Sequence, residues 1–468
     1  MSGVATRSTR LHTSDRESDE ASRRVYAGEV DRGPPRHGGN VPRRNHAVEV
    51  ERSPAMNTRG IQNHEIASVA TPVQGEVAPG FEGVWEEFER NFAERSELGA
   101  ACAVYHKGEK VVDLWGGYRD IERRLPWQED TLVLVYSTTK GLAGMTIALA
   151  HSRGLLDYDE RVSTYWPEFA QGGKESITVR QLLSHQAGLS GLDWPLDLKT
   201  IADPDALAAT IARQKPAWEP GTRHGYHGIS LGWYEGELIR RVDPEHRSLG
   251  RFFHEEIARP LGLEFYIGLP STVPASRIAE IRAFRPARML LHMNTMPPGM
   301  VLALMNPRSL TSRSLNQIKD KGIKGPADLN RPEIWALEMP ALGGVGQVRS
   351  IAKAYGEFAT GGHELGLTEE TLDALVRSAA PPSQGIRDMV LHVDTTFSLG
   401  FIKPFPDFSF GTTEKAFGTP GFGISFGFAD PDAQVGFAYA PNRMGFHNWD
   451  DPRERALRDA LIRCLRGR

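Results

Sequence analysis

The sequence predicts a mixed α/β (α+β) fold in which both ends of the chain build one antiparallel sheet flanked by helices. Two observations predict it. Short apolar segments typical of strands occur near residues 101–115 and again beyond residue 397, whereas helical periodicity dominates the residues between them. Strands from the two ends can share one sheet when the mainly helical part is an insertion.

The first elements are a helix and a hairpin. Residues 81–95 carry apolar side chains at helical spacing, namely Phe81, Val84, Trp85, Phe88 and Phe92. Strands at 101–106 and 110–115 follow, and the turn at 107–109 joins them through Gly108.

The later elements are read from the same two periodicities. We expect helices and strands, in chain order, at 140–153 (helix), 231–241 (helix), 397–401 (strand), 423–429 (strand), 435–440 (strand) and 452–466 (helix). The charged residues of the last helix are expected to face solvent above a few core leucines.

The chain divides by composition into an extension and a folded domain. Residues 1–55 contain ten arginines, eight acidic residues and no lysine, with too few apolar residues to offset the entropy of ordering. We expect a disordered extension there, or a true start at Met56. We expect the folded domain at 75–468, with a sheet lobe at about 80–135 and 340–468 and a helical lobe at about 140–335.

Composition excludes several classes of function. The 468 residues carry a formal net charge of −4, so no general basic surface favours nucleic acid. The most apolar stretch, 289–305, is interrupted by polar residues and a proline pair, which argues against a transmembrane segment. Cys102 and Cys464 are too few for a disulfide framework or a four-thiolate zinc site. They could form one bridge, but we expect two buried thiols.

The expected compartment is the cytoplasm, because the extension lacks the apolar region of a secretory signal. Its acidic residues also argue against a mitochondrial transit peptide. Peripheral association with a membrane or the cell envelope stays open, as does the oligomeric state.

The chemistry begins at Ser137-Thr138-Thr139-Lys140. Residues three apart share a helix face, so the amine of Lys140 can reach the hydroxyl of Ser137 and activate it as a nucleophile. At a helix start, Ser137 also offers its backbone N–H to a developing oxyanion. Chance alone supplies about one such spacing in a chain of this composition, so the small-residue helix that follows is what favours Ser137.

Two other serines compete for the same role. Ser350 and Lys353 repeat the spacing, but Ser350 follows a glycine turn and is expected to be a helix N-cap. Ser425 lies in a formal G-x-S-x-G pattern, which requires a helix after the serine. The flanking residues are strand-like, so we expect Ser425 to be a sheet residue.

Five segments together resemble the serine β-lactamase and penicillin-binding-protein superfamily, specifically class C β-lactamases and family VIII carboxylesterases. The matching segments span about residues 80–465 in the family's order: Asp130-Thr131 with Ser137–Lys140, then 154–157, 177–185, 218–226 and 417–421. The resemblance implies a sheet flanked by helices plus a helical domain, with the site between them.

The resemblance also implies roles. Ser137 resembles the acylated nucleophile, Lys140 its proton acceptor, and Tyr226 the second-motif tyrosine that exchanges protons with the serine and the leaving group. An ammonium beside Tyr226 is expected to favour its phenolate, so that Lys140 and Tyr226 share one proton. The backbone N–H of Phe422, after Gly421, would be the second oxyanion donor.

Two departures from the family bear on the substrate. In the family the second motif ends in asparagine, whereas Gly228 stands at that position here. The third motif of the family has a lysine, and Thr419 takes its place in this chain. Losing a charged hydrogen bond removes about 1.5–3 kcal/mol of hold on an anionic ligand. Thr419 and Gly421 would therefore form a neutral substrate wall, which favours uncharged esters.

Two further groups of residues attract attention. Residues 276–331 hold five of the eleven methionines, namely Met289, Met293, Met296, Met300 and Met305. They predict either an acyl-chain pocket or lid, or a core helix with a proline-broken loop. His185, His224 and His227 match no metal-ligand spacing and are expected to be structural.

The sequence thus predicts a serine carboxylesterase or lipase acting on a small-molecule ester or lipid with short to medium acyl chains, with no metal and no organic cofactor. One alternative within the same fold is an acyltransferase or a β-lactam or D-amino-acyl hydrolase. The alternative outside enzymes is a catalytically silent scaffold.

Overall fold

Strands from both ends of the chain form one antiparallel sheet. The computed structural model describes residues 72–283, 292, 295–323 and 325–467. Its strands are β1 Gln74–Val77, β2 Gly99–His106, β3 Glu109–Asp120, β4 Leu125–Pro126, β5 Val133–Leu134, β6 Phe265–Ile267, β7 Gly344–Gly346, β8 Phe417–Pro420, β9 Phe426–Asp430 and β10 Val435–Pro441. The main sheet has the order β1-β3-β2-β10-β9-β8, with β4 paired to β3. Pairing of β10 with β2 joins the two chain ends and confirms the predicted sheet.

The predicted hairpin is confirmed and longer than expected. Lys107 and Gly108 both have positive φ angles, 53° and 83°, as a two-residue hairpin turn requires. β3 continues to Asp120, beyond the predicted end at residue 115, because its last residues pair with β4.

Helices cover both faces of this sheet and fill the insertion. Their bounds are α1 Glu82–Glu94, α2 Thr139–Ser152, α3 Val162–Tyr165, α4 Val179–Leu183, α5 Leu198–Ala202, α6 Pro204–Ala212, α7 Ser230–Val242, α8 Leu249–Phe253, α9 Pro298–Leu304, α10 Leu310–Leu315, α11 Pro332–Trp335, α12 Val348–Ala359, α13 Glu369–Val376 and α14 Pro452–Arg466. The helices predicted at 81–95, 140–153, 231–241 and 452–466 are confirmed to within one residue at each end.

Each face of the sheet has its own core. α1 and α14 pack against each other over one face, where Cys102 and Val104 are buried, whereas α12 packs on the other face over Ala103. The close approach of α12 depends on two glycines. A Cβ on Gly436 would lie 2.1 Å from the backbone nitrogen of Gly356, so no larger residue fits at Gly436 without moving the helix.

A second, three-stranded sheet of order β5-β7-β6 leads into the centre of the molecule. β5 ends at Leu134, a short 3-10 turn follows at Tyr136–Thr138, and α2 begins at Thr139. α2 is buried from Thr139 to Ala150 and packs against α7 and α8. A helix buried on every side holds its first turn rigidly, which fixes the position of the residues at its start.

Three expectations about the C-terminal part are wrong. Residues 397–401 form no strand, since only Phe397 makes a single bridge, to Ile402. The strand expected at 423–429 begins at Phe426, because residues before it form a turn in which Gly423 and Ile424 have φ angles of 82° and 88°.

The charged face of α14 is the third correction. Arg453, Glu454 and Arg458 are buried, each 5 % exposed or less. Arg453 donates to Glu97 at 3.0 Å and Arg458 to Glu454 at 2.9 Å, so the charges are buried as ion pairs instead of facing solvent.

The remaining expectations concern the chain as a whole. Contacts group Ile66–Arg468 into one compact unit; the division into two lobes stays a prediction. The 1–55 extension and the alternative start at Met56 fall outside the described residues. The expectation of two buried thiols is confirmed for Cys102, which is buried, whereas Cys464 is only half-buried. None of the helices in the described ranges is long and apolar enough to cross a membrane.

Candidate active site

Ser137 lies at the start of α2, on a backbone that its neighbours hold in a strained conformation. Tyr136, directly before it, has a φ angle of +46°, which costs free energy for a residue with a side chain. The Tyr136 hydroxyl donates to the carbonyl of Pro326 at 3.0 Å, and the Thr139 hydroxyl donates to the Tyr136 carbonyl. These contacts hold the half-buried Ser137 side chain in the 3-10 turn directly before α2.

Lys140 lies one helical turn later, and its amine faces Ser137. Its Nζ lies 3.1 Å from Ser137 Oγ, 2.6 Å from the Gly228 carbonyl oxygen and 2.9 Å from the Ala341 carbonyl oxygen. The side chain is 1 % exposed, and burial lowers the pKa of Lys140 to about 7, with Glu235 opposing the shift. A lysine with this pKa is substantially neutral near pH 7 and can accept a proton.

Tyr226 lies beside both residues, just before α7. Its ring lies 5.0 Å from Lys140 Nζ, and its phenol interacts with the Ser137 side chain. Two side chains hold the backbone of Tyr226: its N–H donates to Asp388 at 2.9 Å, and its carbonyl accepts from Ser314 at 2.8 Å. Asp388 is buried and also accepts the N–H groups of residues 390 and 391.

The pKa of Tyr226 is shifted away from the phenolate expected there. Burial raises the pKa of Tyr226 to about 12, while its hydrogen bond with Ser137 lowers it only in part. The amine of Lys140 lies over the ring, and the expectation that Lys140 and Tyr226 share one proton stays a prediction. Burial thus shifts the two pKa values in opposite directions, which makes Lys140 the better proton acceptor of the two groups.

The three histidines lie behind Tyr226 as packing residues. His185 Nδ1 accepts the N–H of His227, and the His185 ring lies 5.3 Å from the ring of Tyr226. His227 is fully buried, which lowers its pKa to about 3. His224 Nε2 lies 2.7 Å from the carbonyl of Ile386. Among the described residues no group of His, Cys, Asp or Glu side chains is placed to hold a metal.

The third-motif segment runs directly against the Ser137 turn. A Cβ on Gly421 would lie 2.1 Å from Ser425 Oγ and 2.4 Å from the carbonyl oxygen of Val135, so only glycine permits this approach. Thr419, on β8, is buried and lies over α2 near Gly141. Phe422 is 43 % exposed, and its ring meets that of Tyr136 edge-to-face at 6.2 Å.

Neither competing serine is placed as a nucleophile. Ser425 Oγ donates to the Val135 carbonyl at 2.7 Å and lies 2.9 Å from Thr138 Oγ1, so it fastens the third-motif turn to the segment before α2. It lies in that turn, one residue before β9, and a strand follows it. Ser350 is not an N-cap; it lies inside α12 and accepts the N–H of Glu264 at 2.9 Å.

The methionine-rich region is only partly described. Met289 and Met293 fall outside the described residues, Met296 and Met300 are buried, and Met305 is 76 % exposed. Leu302, on α9 with Met300, is 70 % exposed. The alternatives of an acyl-chain pocket or lid and of a core helix with a loop both stay predictions.

Comparison with known proteins identifies the family. The family model described as Beta-lactamase matches residues 86–462, most of the chain. The chain belongs to the Beta-lactamase family. Among curated proteins of this family, the esterase/beta-lactamase LipL of Mycobacterium tuberculosis is 31 % identical over 395 residues, which cover 83 % of this chain and 87 % of LipL.

Solved structures of the same family agree in fold. A family VIII carboxylesterase has 37 % identity and a TM-score of 0.73 and covers 84 % of this chain and all of its own. EstA from Arthrobacter nitroguajacolicus Rue61a has 32 % identity and a TM-score of 0.72, covering 85 % of this chain and 99 % of its own. These likenesses confirm the predicted fold and make the chain a serine hydrolase of the Beta-lactamase family.

Sequence reasoning missed three parts of the site. The Gly228 carbonyl receives the lysine amine at the position where the family's asparagine side chain is absent, and the Ala341 carbonyl adds a second acceptor. Asp388 anchors the backbone of Tyr226 from a loop 162 residues away. Every residue has a backbone carbonyl, so these acceptors cannot be predicted from the sequence. A single aspartate in a loop belongs to no motif with a recognisable spacing.

Proposed function

We propose that this chain is a carboxylesterase that hydrolyses uncharged esters of short to medium acyl chains through an acyl-enzyme on Ser137. The observation that carries the proposal is the 3.1 Å contact between Ser137 Oγ and the buried amine of Lys140. The pKa of about 7 at Lys140 makes this amine a competent base near neutrality. The esterase names of LipL and of the family VIII carboxylesterase support the same reaction class.

In the first step, Ser137 Oγ attacks the ester carbonyl carbon while its proton passes to Lys140 Nζ. The negative charge that develops on the carbonyl oxygen would be stabilised by the backbone N–H groups of Ser137 and Phe422. The carbon–oxygen bond of the ester then breaks, and the leaving alkoxide receives a proton through Tyr226, whose phenol is protonated at neutral pH. Water, activated by the neutral Lys140, releases the acid from Ser137.

The preference for uncharged substrates rests on the third motif. Thr419 is neutral and buried at the position where the lactamases carry a lysine, so this position offers no cation to a free carboxylate. The exposed ring of Phe422, beside Tyr136, adds apolar surface next to the nucleophile that suits an acyl chain.

The test is hydrolysis of p-nitrophenyl butyrate by the wild type, Ser137→Ala and Ser350→Ala. We expect Ser137→Ala to lower kcat/KM by at least about 10³-fold, because the nucleophile is removed. Ser350→Ala, which alters the other serine of the same spacing, should keep wild-type turnover. Turnover that survives in Ser137→Ala would contradict the assignment of the nucleophile and move suspicion to Ser425.

A second candidate is β-lactam hydrolysis, which the double name of LipL favours. Turnover of nitrocefin beside that of the butyrate ester separates the two, and we expect the ester to be the better substrate by kcat/KM. Product analysis with an added alcohol would reveal acyl transfer. A silent scaffold predicts that a fluorophosphonate does not label Ser137, so labelling would exclude it.

A further inference from the structure

Two tight turns meet at the candidate site, and each carries one of the two proposed oxyanion donors. The first is the 3-10 turn Tyr136–Thr138, which contains Ser137 and follows Val135. The second is the turn at 421–425, which contains Phe422 and joins β8 to β9. Two N–H groups stabilise one oxyanion only when both point at the same oxygen, so the spacing of these turns bears directly on catalysis.

The Ser425 hydroxyl contacts both ends of the turn that contains Ser137. It donates to the carbonyl of Val135 at 2.7 Å, and its oxygen lies 2.9 Å from Oγ1 of Thr138. Because a hydroxyl has one proton and Ser425 gives its own to Val135, Thr138 is the donor in the second contact. Ser425 is 4 % exposed and Thr138 is fully buried, so both bonds lie out of solvent.

The backbone of Ser425 closes the second turn. Its carbonyl accepts the N–H of Gly421 at 2.7 Å, and the carbonyl of Gly421 accepts the N–H of Ile424 at 3.0 Å. Phe422 lies between these bonded residues, directly after Gly421. Ser425 therefore holds the turn of Phe422 through its backbone and the turn of Ser137 through its side chain.

Both turns have strained backbones. Tyr136 has a φ angle of +46°, and Ile424 has one of +88°, which is especially costly for a β-branched residue. Strain of this kind persists only where the surrounding contacts fix it, and it is concentrated at functional sites. A Cβ on Gly421 would lie 2.1 Å from Ser425 Oγ, so the hydroxyl occupies the space that a side chain at Gly421 would fill.

We propose that Ser425 is a positioning residue that sets the spacing of the two oxyanion donors, the N–H groups of Ser137 and Phe422. The inference deepens the proposed function and rests on it for the identity of these donors. Ser425 forms no bond with the substrate and transfers no proton. Its hydroxyl, engaged with Val135, holds the two turns together while charge develops on the ester oxygen.

The first test compares Ser425→Ala with the matched control Ser350→Ala in the hydrolysis of p-nitrophenyl butyrate. Displaced donors bind the transition state less well but leave ground-state binding unchanged. We therefore expect kcat of Ser425→Ala to fall about 10–100-fold and KM to change less than about threefold. Ser350→Ala also removes a buried hydroxyl that bonds to backbone, and it should keep both constants. A kcat of Ser425→Ala within about twofold of the wild type would overturn the proposal.

Two conservative variants separate the hydroxyl from the fold. Ser425→Thr keeps a hydroxyl and should recover most of the kcat that Ser425→Ala loses. Thr138→Val has nearly the same shape as the wild type and leaves the bond from Ser425 to Val135, so we expect a smaller fall in kcat. If Ser425→Ala does not fold, Thr138→Val takes its place, and an unchanged kcat there would overturn the proposal.

A transition-state mimic gives a measurement that a merely structural role would not change. In propylboronic acid, boron takes the place of the carbonyl carbon of the butyryl group. Ser137 Oγ bonds to boron, and an oxygen of the tetrahedral adduct takes the place of the oxyanion. We expect Ser425→Ala to raise Ki by the factor by which it lowers kcat/KM, because both constants report the same donors. An unchanged Ki would overturn the proposal even if kcat fell.

Covalent labelling separates this proposal from the proposed function, because it needs no ester turnover. In a chain that hydrolyses no ester, slower labelling of Ser137 by a fluorophosphonate in Ser425→Ala than in the wild type would support the positioning role and refute the esterase. Ester turnover that depends on Ser137, with equal labelling rates in the two proteins, would keep the esterase and refute the positioning role. A label found on Ser425 would refute both.

Discussion

Two segments of this protein carry the same Ser-x-x-Lys pattern and differ in everything around it. In the first, Lys140 Nζ lies 3.1 Å from Ser137 Oγ. In the second, Lys353 Nζ donates to the carbonyl of Leu261 at 2.6 Å, while Ser350 Oγ accepts the N–H of Glu264 at 2.9 Å. The same spacing thus gives a serine–lysine pair in one helix and two separate structural contacts in the other.

The difference comes from where each serine lies relative to its helix. Ser137 precedes α2, in a 3-10 turn that the strained Tyr136 begins, so its hydroxyl points back over the first turn towards Lys140. Ser350 lies within α12, where its side chain faces the residues before β6. A spacing motif states which side chains share a helix face; the tertiary contacts decide whether they meet each other.

The largest expected difference between the two segments concerns their lysines. We expect Lys140→Met to lower kcat/KM on p-nitrophenyl butyrate by about 10²–10⁴-fold, the usual contribution of a general base. Lys353→Met should keep kcat/KM within about twofold, since its amine only binds the Leu261 carbonyl. Equal losses in both variants would break the comparison, because they would indicate damage to the fold in place of loss of a base.

The sequence carries enough information for elements whose signal is local. The hairpin turn needs Gly108, with a φ angle of 83°, and α14 begins where Asp451 caps it before Pro452. Residues 397–401 are rich in strand-forming residues yet find no strand to pair with, which only the tertiary fold decides. The buried ion pair of Arg453 was missed for the same reason, because its partner Glu97 is distant in sequence. The pair of Arg458 and Glu454 is four residues apart on α14, so its sequence spacing is that of an exposed pair and does not reveal its burial.

The candidate site also contains residues that the sequence reveals and residues that it does not. Ser137, Lys140 and Tyr226 lie in recognisable segments, and the structure brings the three together. The Gly228 and Ala341 carbonyls that hold the lysine are backbone groups, available at almost any residue, so the sequence has no signal for them.

The pH dependence of activity sharpens the comparison. Burial places the pKa of Lys140 at about 7, so the neutral base, and with it kcat/KM, should rise with pH through about 7 and fall about tenfold per unit below it. The raised pKa of Tyr226, about 12, adds no inflection below pH 10. Ser350→Ala should show the same profile as the wild type. A profile that stays flat between about pH 5 and about pH 8 would contradict Lys140 as the base.

The smallest effect is expected from Ser350→Ala, and it falls on stability. Removal of the hydroxyl leaves the N–H of Glu264 without its acceptor in a half-buried position, which costs about 1–3 kcal/mol of unfolding free energy. Urea unfolding at neutral pH measures this loss. The control is Ser350→Thr, which keeps a hydroxyl and is expected to retain part of the stability that Ser350→Ala loses. If Ser350→Ala lowered kcat/KM while leaving the unfolding free energy unchanged, the second Ser-x-x-Lys segment would have to be reassigned from a structural role to a functional one.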